Sequence, residues 1–178
     1  LVDACKGCYA TTGMYNMPNV KAPRISNKED WKRKDWVDDM VSAIFNDELF
    51  RWFDSGDAYD LRLTKKIKQV IERTPTTKHW FPTRQHKFPK FAKVLAEIAA
   101  LPNAVVRLSS DSINGGIIAG DTTSTIWNTK PPKGAFECGA YTREGQCKDC
   151  RACWDKNVKV VAYPGHGNKM LKVIRLQE

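Results

Sequence analysis

Apolar segments and helical patterns alternate along the middle of the chain, at the intervals that parallel strands and their crossover helices require. Strand-like runs at 49–53, 78–81 and 104–108 each end in a polar turn, and they recur at a spacing of about 27 residues. Between them lie two segments, 63–71 and 91–101, whose apolar residues follow helical spacing. Alternation of this kind predicts an α/β fold, with a parallel sheet and helices packed outside it.

The pattern on either side of these units predicts further elements. Ser26 and Glu29 have the spacing of a capping box, and they predict the start of a helix with an apolar stripe. Near the carboxyl end, 158–163 and 171–176 have strand-like patterns, and the second is predicted to close the sheet. The glycine- and proline-rich stretch 113–134 is predicted to form a loop with one short strand.

Polar residues follow each of the three predicted strands, at the positions where parallel sheets bind their ligands. Because these strand ends share one edge of the sheet, their side chains are predicted to face a common crevice. The same residues can instead serve only turn chemistry, and for any one of them that alternative stays open. The predicted ligand-binding residues are Ser55, Gly56, Asp57, Thr83, Arg84, Ser109, Ser110 and Asp111.

Four cysteines lie within the segment 138–153, which we call the cysteine segment. Cys147, Cys150 and Cys153 follow one another with two residues between each pair, and Cys138 precedes them across a polar loop. Such spacing turns thiolates inward on a tight loop, as in zinc and iron–sulfur sites. An evenly spaced run of three favours a [4Fe-4S] cluster, whereas structural zinc usually takes its thiolates as two separated pairs. Zinc and disulfide pairing stay open as alternatives, although spacings this short would close small, strained disulfide loops.

A second pair, Cys5 and Cys8, has the same spacing near the start of the chain. Two thiols supply half of a metal site, so this pair needs one or two further ligands from upstream or from elsewhere in the fold. Free cysteine also behaves as a small apolar residue, and two packed thiols are the alternative interpretation. The pair is therefore a predicted metal site only if further ligands complete it.

The chain carries a formal net charge of +9 with a pI near 9.3, which favours an anionic partner such as nucleic acid, a nucleotide or phosphate. The basic residues are spread over several predicted helices, and solvated helix faces explain such spreading equally well. With 178 residues and 42% hydrophobic content, a single domain is predicted over 1–178, with βα units at 1–111 and a cysteine-rich loop with closing strands at 112–178. No apolar run is long enough to span a bilayer, so no membrane partner is expected.

The three histidines are too scattered to predict a hydrolytic metal site, and no phosphate-binding loop of the Walker type is present in the sequence. His79 falls inside a predicted strand, where a packing role is expected. His166 lies between two glycines after a predicted strand, and it is the better functional candidate.

Two motifs carry a resemblance to a known family: Cys5-Lys-Gly-Cys-Tyr-Ala and Arg51-Trp-Phe-Asp-Ser-Gly-Asp. Together with the later strand ends, they resemble the phage gene product 88 family. The resemblance covers the chain from Cys5 to about Asp111, and the cysteine segment with Trp154 also matches cysteine-rich members of this group. That family is in turn similar to the radical S-adenosylmethionine (SAM) enzymes, which implies a partial (β/α) barrel-like parallel sheet.

The likeness to radical SAM enzymes implies roles for particular residues. In those enzymes a three-cysteine motif holds a [4Fe-4S] cluster whose fourth iron binds SAM. Cys5 and Cys8 match the last two cysteines of that motif, and Tyr9 matches the aromatic residue after them. The turn at 55–57 resembles the one that contacts the methionine amine. The first cysteine of the motif is not in this sequence, so it either lies upstream of Leu1 or has been lost from the site.

Three functions from different classes follow from these features. The first is a radical SAM-like enzyme, with a SAM-binding cluster at Cys5 and Cys8, an auxiliary cluster in the cysteine segment, and a reductant as electron donor. The second is an electron-transfer or sensing protein that carries a cluster without substrate chemistry. The third is a zinc-stabilised module that binds nucleic acid through its charge and through aromatic residues such as Trp127 and Trp154. A phage-encoded protein of this kind is expected in the cytoplasm of the host cell.

Overall fold

The structure is a computed structural model, and it describes residues 2–176. The helices are α1 (Asp3–Lys6), α2 (Pro18–Asp30), α3 (Trp36–Ile44), α4 (Leu61–Arg73), α5 (Pro89–Ala100) and α6 (Asn168–Arg175). The strands are β1 (Leu49–Arg51), β2 (Lys78–Thr83), β3 (Ala104–Ser109), β4 (Thr123–Trp127), β5 (Phe136–Glu137) and β6 (Val160–Pro164). The strands form one sheet in the order β1-β2-β3-β4-β6-β5. Their pairing is parallel, which confirms the predicted α/β fold class with a parallel sheet of the partial-barrel kind.

The chain divides into two compact units, and the division falls inside β3, after Val106. We call the unit formed by 13–106 the βα unit, and the unit formed by the described residues 2–12 and 107–176 the cysteine unit. The N-terminal cysteine pair therefore belongs to the same unit as the cysteine segment. In the part of the chain that the structure describes, no helix combines the length and the apolar character needed to cross a membrane.

The βα unit is built on two helices whose apolar stripes are buried. Asp60 caps α4, because its side-chain Oδ1 accepts a hydrogen bond from the backbone N of Arg62 at 2.7 Å. Pro89 occupies the first turn of α5, where its missing N–H is not needed. β1 pairs in parallel with β2, and Leu49 lies opposite Lys78. The buried stripes are those that the sequence predicted: Leu63, Ile67, Val70 and Ile71 on α4, and Phe91, Val94, Leu95 and Ile98 on α5.

His79 is a buried polar residue of the βα unit, with both ring nitrogens hydrogen-bonded. Trp52 Nε1 donates to His79 Nδ1 at 3.2 Å, so Nε2 carries the ring proton and faces Thr74 Oγ1 at 2.9 Å. The Thr74 hydroxyl in turn donates to the Val70 carbonyl at 2.8 Å. Burial lowers the pKa of His79 to about 4, so the ring is neutral at pH 7. The expected packing role is therefore confirmed.

The cysteine unit is centred on β4, and its interior is more polar than that of the βα unit. β4 pairs in parallel with the end of β3 and with β6, and β5 pairs with β6. The apolar cluster that α1 and α6 share is small, consisting of Ala4, Ile113, Met170 and Ile174. Polar side chains occupy much of the remaining interior, including Arg107, Thr122, Thr123, Ser124 and Thr125.

The predicted capping box at Ser26 and Glu29 was wrong. Both residues lie inside α2, which begins at Pro18. Proline suits the first turn of a helix, where its missing N–H is not needed, and it gives this helix an earlier start. The apolar stripe that follows belongs to α3, which has Asp35 at its N-cap position.

The predicted closing strand at 171–176 was also wrong, because 171–175 lie in α6 and Leu176 is its C-cap residue. The alternation of apolar and polar residues in it resembles a strand. However, Met170 and Ile174 are four residues apart and are both buried, which is helical spacing. A short amphipathic segment can fit both the strand period and the helical period. Here Met170 and Ile174 are buried together with Ala4 of α1, which requires the helical arrangement.

Candidate metal centre

The cysteine segment begins where β5 ends. The backbone N of Cys138 donates to the Ala162 carbonyl at 2.9 Å, so the pairing of β5 with β6 continues to the first cysteine. A 3-10 turn at Ala140–Arg143 follows, and the two residues after it, Glu144 and Gly145, have φ angles of 58° and 78°. Two consecutive residues with positive φ reverse the chain direction, and glycine adopts this conformation without strain. The polar loop thus turns the chain back toward the remaining cysteines.

The last three cysteines lie on a tight path. The backbone N of Cys150 donates to the Cys147 carbonyl at 2.9 Å, which closes the turn that two-residue spacing allows. Cys153 lies in a second 3-10 turn, Ala152–Trp154, and is buried, whereas Cys147 is exposed. All six cysteines of the chain are free thiols in the structure.

Strand β6 contacts both the first and the last cysteine of the segment. The hydroxyl of Tyr163 lies 3.3 Å from Sγ of Cys153, while the preceding residue, Ala162, accepts the hydrogen bond from Cys138. Burial raises the pKa of the Tyr163 hydroxyl well above its usual value, and the nearby Cys153 thiol raises it further. One regular strand therefore fixes the two ends of an otherwise irregular loop.

Arg107 binds the backbone at the end of the cysteine segment. Its side chain is fully buried, and desolvation lowers the pKa of its guanidinium, an effect opposed by Tyr163, Cys153 and Asp155. The guanidinium donates to one carbonyl on β4 and to four within 152–158, because its planar fork presents several N–H groups at once. The accepting carbonyls are those of Thr123 at 3.1 Å, Val158 at 3.0 Å, Ala152 at 3.1 Å, Asp155 at 3.3 Å and Cys153 at 3.5 Å.

The four thiols of the segment lie close enough to affect one another electrostatically. Burial raises the pKa of Cys138, and charge on Cys147 and Cys150 raises it further. Burial also raises the pKa of Cys153, to about 11, although the Tyr163 hydrogen bond and the Arg107 charge oppose this shift.

These thiols match the donor chemistry of a thiolate-bound metal. A cation bound among them would relieve their mutual repulsion as thiolates, and four thiolates are the donor set of both zinc and [4Fe-4S] sites. Within residues 2–176, no group of three or more Cys, His, Asp or Glu side chains is already arranged to hold a metal ion. The segment therefore suits a thiolate-bound metal in two respects. It supplies four thiols, and these thiols share one region between β6 and the 3-10 turns.

The N-terminal pair lies at the end of α1, where the backbone N of Cys8 donates to the Cys5 carbonyl at 3.2 Å. Both thiols are half-buried. The next residue, Tyr9, stacks on His166 with ring centroids 6.4 Å apart, and Tyr141 of the cysteine segment stacks on the same imidazole at 4.7 Å. A stack of three rings therefore links the neighbourhoods of the two cysteine groups, just after β6 ends.

In the βα unit, the Asp57 carboxylate contacts residues at the end of the next strand. Its Oδ1 accepts hydrogen bonds from Thr83 Oγ1 at 2.8 Å and from the Ala58 backbone N at 2.7 Å. Its Oδ2 accepts one from the Arg84 backbone N at 2.7 Å. The turn before Asp57 consists of Ser55 and Gly56, and Gly56 has a φ of 89°, which glycine tolerates. The carboxylate thus ties the end of β1 to the end of β2.

The remaining strand-end residues lie in the cysteine unit and have local partners there. Ser124 Oγ donates to Ser109 Oγ at 3.3 Å, and Ser110 Oγ accepts from the Ser112 backbone N at 3.1 Å. The Asp111 carbonyl accepts from the backbone N of Ala4 at 3.3 Å, which ties this loop to α1. A common crevice for Ser109 and Asp111 with the strand-end residues of the βα unit stays a prediction.

Two residues of the candidate site, Arg107 and Tyr163, were missed in the sequence. The run Ala-Val-Val-Arg-Leu has one charge in an otherwise apolar strand, and arginine is rarely buried unless it is paired or hydrogen-bonded. That signal could have marked Arg107 as a buried anchor. Tyr163 carries no comparable signal, because a tyrosine at the end of a strand has many uses.

Residues 3–156 match the family model described as gene product 88. The matched range is most of the chain, and it includes the N-terminal cysteine pair, the βα unit and the whole cysteine segment. No curated protein and no solved structure matches this chain. The chain belongs to the gene product 88 family, a family of phage proteins.

Proposed function

We propose that this phage protein is an iron–sulfur protein that holds a [4Fe-4S] cluster through Cys138, Cys147, Cys150 and Cys153. The observation that carries the proposal is the position of these four free thiols in one segment whose first and last cysteines both contact β6. When bound, such a cluster supplies one-electron redox chemistry. The chain's own part is to orient the thiolates and to limit the access of water to them.

The choice of iron over zinc depends on the spacing within the segment. The even run Cys147, Cys150 and Cys153 suits the corner irons of a cubane, whereas separated pairs suit tetrahedral zinc. Burial of Cys153 beneath Tyr163 also supports a site with a dry interior side. Cys147 is exposed, which leaves an open side through which a partner that supplies electrons can approach.

The test is metal analysis of protein purified without oxygen. We expect about four irons and four sulfides per chain. The reduced protein should give the electron paramagnetic resonance signal of a [4Fe-4S] cluster. Cys150→Ser should lose most of this iron and should destabilise the cysteine unit, because metal binding and local folding are coupled. One zinc per chain with no iron would refute the proposal, and salt-dependent binding of nucleic acid by that colourless protein would establish the zinc-stabilised module instead.

A radical SAM-like enzyme is the second candidate, and the position of Cys5 and Cys8 favours it. They are free, half-buried thiols, and Tyr9 beside them stacks on His166 just after β6. The carboxyl ends of parallel strands are where such sheets bind ligands. With a further cysteine upstream, this pair would hold a second cluster that binds SAM. A separate proposal concerns the Asp57 carboxylate at a strand end of the βα unit, which can accept a charge-assisted hydrogen bond from a cationic amine such as that of SAM.

Two measurements separate this candidate from an electron-transfer or sensing role. The first is 5′-deoxyadenosine formation with a strong reductant, in protein loaded with iron and sulfide. The second is the iron content of the double variant Cys5→Ser/Cys8→Ser, which falls by half if the pair holds its own cluster and stays unchanged if it does not. Fully loaded protein that neither cleaves nor binds SAM would leave the electron-transfer or sensing role.

A further inference from the structure

The structure assigns Tyr163 as a positioning residue of the metal centre: its hydroxyl donates a hydrogen bond to the Sγ of Cys153 when that sulfur is a metal-bound thiolate. This inference rests on the proposed function, and it goes beyond it by naming a group that tunes the cluster. It starts from the 3.3 Å separation between the Tyr163 oxygen and the Cys153 sulfur. That distance is within hydrogen-bond range for sulfur, whose radius exceeds that of oxygen.

The direction of the hydrogen bond follows from the chemistry of the two atoms. Either atom can donate while Cys153 is a thiol, but a metal-bound thiolate has no proton left to give. The tyrosine O–H must then donate, and the sulfur accepts. A buried tyrosine hydroxyl needs a partner in any case, and here the partner is a proposed metal ligand.

The location of Tyr163 makes this hydrogen bond geometrically fixed. Tyr163 lies on β6, whose pairing with β4 places Ile126 opposite it. On the other side, Arg107 holds the Ala152 and Cys153 carbonyls. The donor and the sulfur therefore lie on separately anchored stretches of chain, so the hydrogen bond does not depend on a flexible loop.

A hydrogen bond to a ligating sulfur withdraws electron density from it. The reduced cluster, which carries one more negative charge, gains more from this bond than the oxidised cluster does, so the bond raises the reduction potential. In a redox titration, one electron from the titrant enters the cluster, and Tyr163 keeps its proton throughout. Removing the hydroxyl should therefore lower the midpoint potential without changing the ligand set.

The experiment compares Tyr163→Phe with the wild-type protein, both purified without oxygen and titrated potentiometrically while the cluster signal is followed. We expect the same iron and sulfide content per chain, with the midpoint potential shifted to lower values in Tyr163→Phe. In cobalt-substituted protein, the sulfur-to-metal charge-transfer band should move to longer wavelength in the variant, because a sulfur without a hydrogen bond gives up its electron more readily. Tyr141→Phe is the matched control: it lies in the same segment, its ring stacks on His166, and neither readout should change.

The outcomes distinguish this inference from the proposed function. Full iron content with a potential and a charge-transfer band equal to those of the wild type would overturn the role of Tyr163 and leave the cluster in place. A wild-type protein with neither iron nor a thiolate-bound metal would overturn both. If Tyr163→Phe and Tyr141→Phe shift the potential equally, the effect is not specific to the sulfur, and the assignment also fails.

Discussion

The βα unit and the cysteine unit differ in what occupies their interiors. In the βα unit, two helices bury continuous apolar stripes, and the strands beneath them pair in sequence order. In the cysteine unit, the apolar cluster is small, and a buried arginine with several threonines fills much of the interior. Apolar burial is non-directional, so many sequences satisfy it, whereas a buried cation requires particular carbonyls at particular distances. The stability of the βα unit therefore depends mainly on buried apolar area. The stability of the cysteine unit depends on individual hydrogen bonds and, in our proposal, on a bound metal.

The largest effect expected from this difference is at Arg107. Arg107→Met keeps much of the buried volume but removes the guanidinium donors to five backbone carbonyls, of which those of Ala152 and Asp155 also accept a backbone N–H. We expect a loss of about 3–5 kcal/mol in the free energy of unfolding, because five carbonyls around a buried site lose their hydrogen bonds to the guanidinium at once. Hydrogen exchange should show that the loss is concentrated in the cysteine unit, and denaturant titration gives its size.

The matched control for Arg107 is Arg73→Met. Arg73 forms an ion pair with Asp38 at 2.6 Å, but both side chains are about half exposed or more. A surface pair of this kind contributes roughly 0–1 kcal/mol, so the control should change stability little. Equal losses in the two variants would contradict the idea that the cysteine unit depends on its buried guanidinium.

The second prediction tests the other side of the comparison. Ile67 is fully buried on α4, and Ile67→Ala leaves a cavity in the apolar layer of the βα unit. We expect a loss of about 2–5 kcal/mol in the free energy of unfolding. Iron content per chain should stay at the wild-type value, since the proposed ligands belong to the cysteine unit. A variant that folds but loses its iron would show that the metal centre depends on the apolar layer of the βα unit.

The βα unit could be predicted from sequence because its signals are periodic. The buried stripes of α4 and α5, the cap at Asp60 and the start of α5 at Pro89 all follow rules of local spacing. The failures occurred where local signals were ambiguous. Pro18 began α2 ahead of the apparent capping box, and the alternation at 171–176 concealed a helical pair of buried residues.

In the cysteine unit, the sequence predicts the candidate ligands but not their surroundings. Spacing identified the four thiols of the segment, since metal-binding loops are local features. The partners of Cys153, by contrast, are distant in sequence: Tyr163 is ten residues away on β6, and Arg107 is 46 residues away on β3. Hydrogen bonds over such separations depend on the sheet order, which spacing alone does not supply.

The third prediction concerns His79 and the pH dependence of stability. Its pKa of about 4 in the folded protein is below the ordinary value of 6.5, so the unfolded chain binds more protons between these pH values. Stability should therefore be full above about pH 6.5 and should fall as the pH drops toward 4, with about 2 kcal/mol lost between pH 7 and pH 5. Protonation would place a second donor at Nδ1, facing the Trp52 N–H.

Denaturant titrations at pH 7 and pH 5 measure the effect of His79. His79→Gln cannot titrate, so we expect the difference between the two pH values to be smaller in this variant by about the same amount. A wild-type protein whose stability does not fall between pH 7 and pH 5 would show that the imidazole is not held neutral in the βα unit.

The smallest effect is expected at Asp57, where a structural role and a proposed ligand-binding role meet. The carboxylate already accepts three hydrogen bonds, from Ala58 N, Thr83 Oγ1 and Arg84 N. Asp57→Asn replaces one acceptor oxygen by an NH2 group, which would face a donor at Arg84 N or at Thr83. We expect a loss of about 1–2 kcal/mol in the free energy of unfolding, because one half-buried hydrogen bond is replaced by two donors that face each other.

Asp47→Asn is the control for this substitution, since Asp47 is an exposed residue of the same unit. Its change in the free energy of unfolding should stay within about 0.5 kcal/mol.

Calorimetry with SAM on the same proteins then separates the two roles of Asp57. A carboxylate that serves only the chain would lose stability in Asp57→Asn and leave any SAM affinity unchanged, since its oxygens point at Thr83 and Arg84. If the variant keeps wild-type stability but binds SAM more weakly, the three hydrogen bonds are not what fixes this turn. The amine-binding role would then be the reason for an acidic residue at the end of β1.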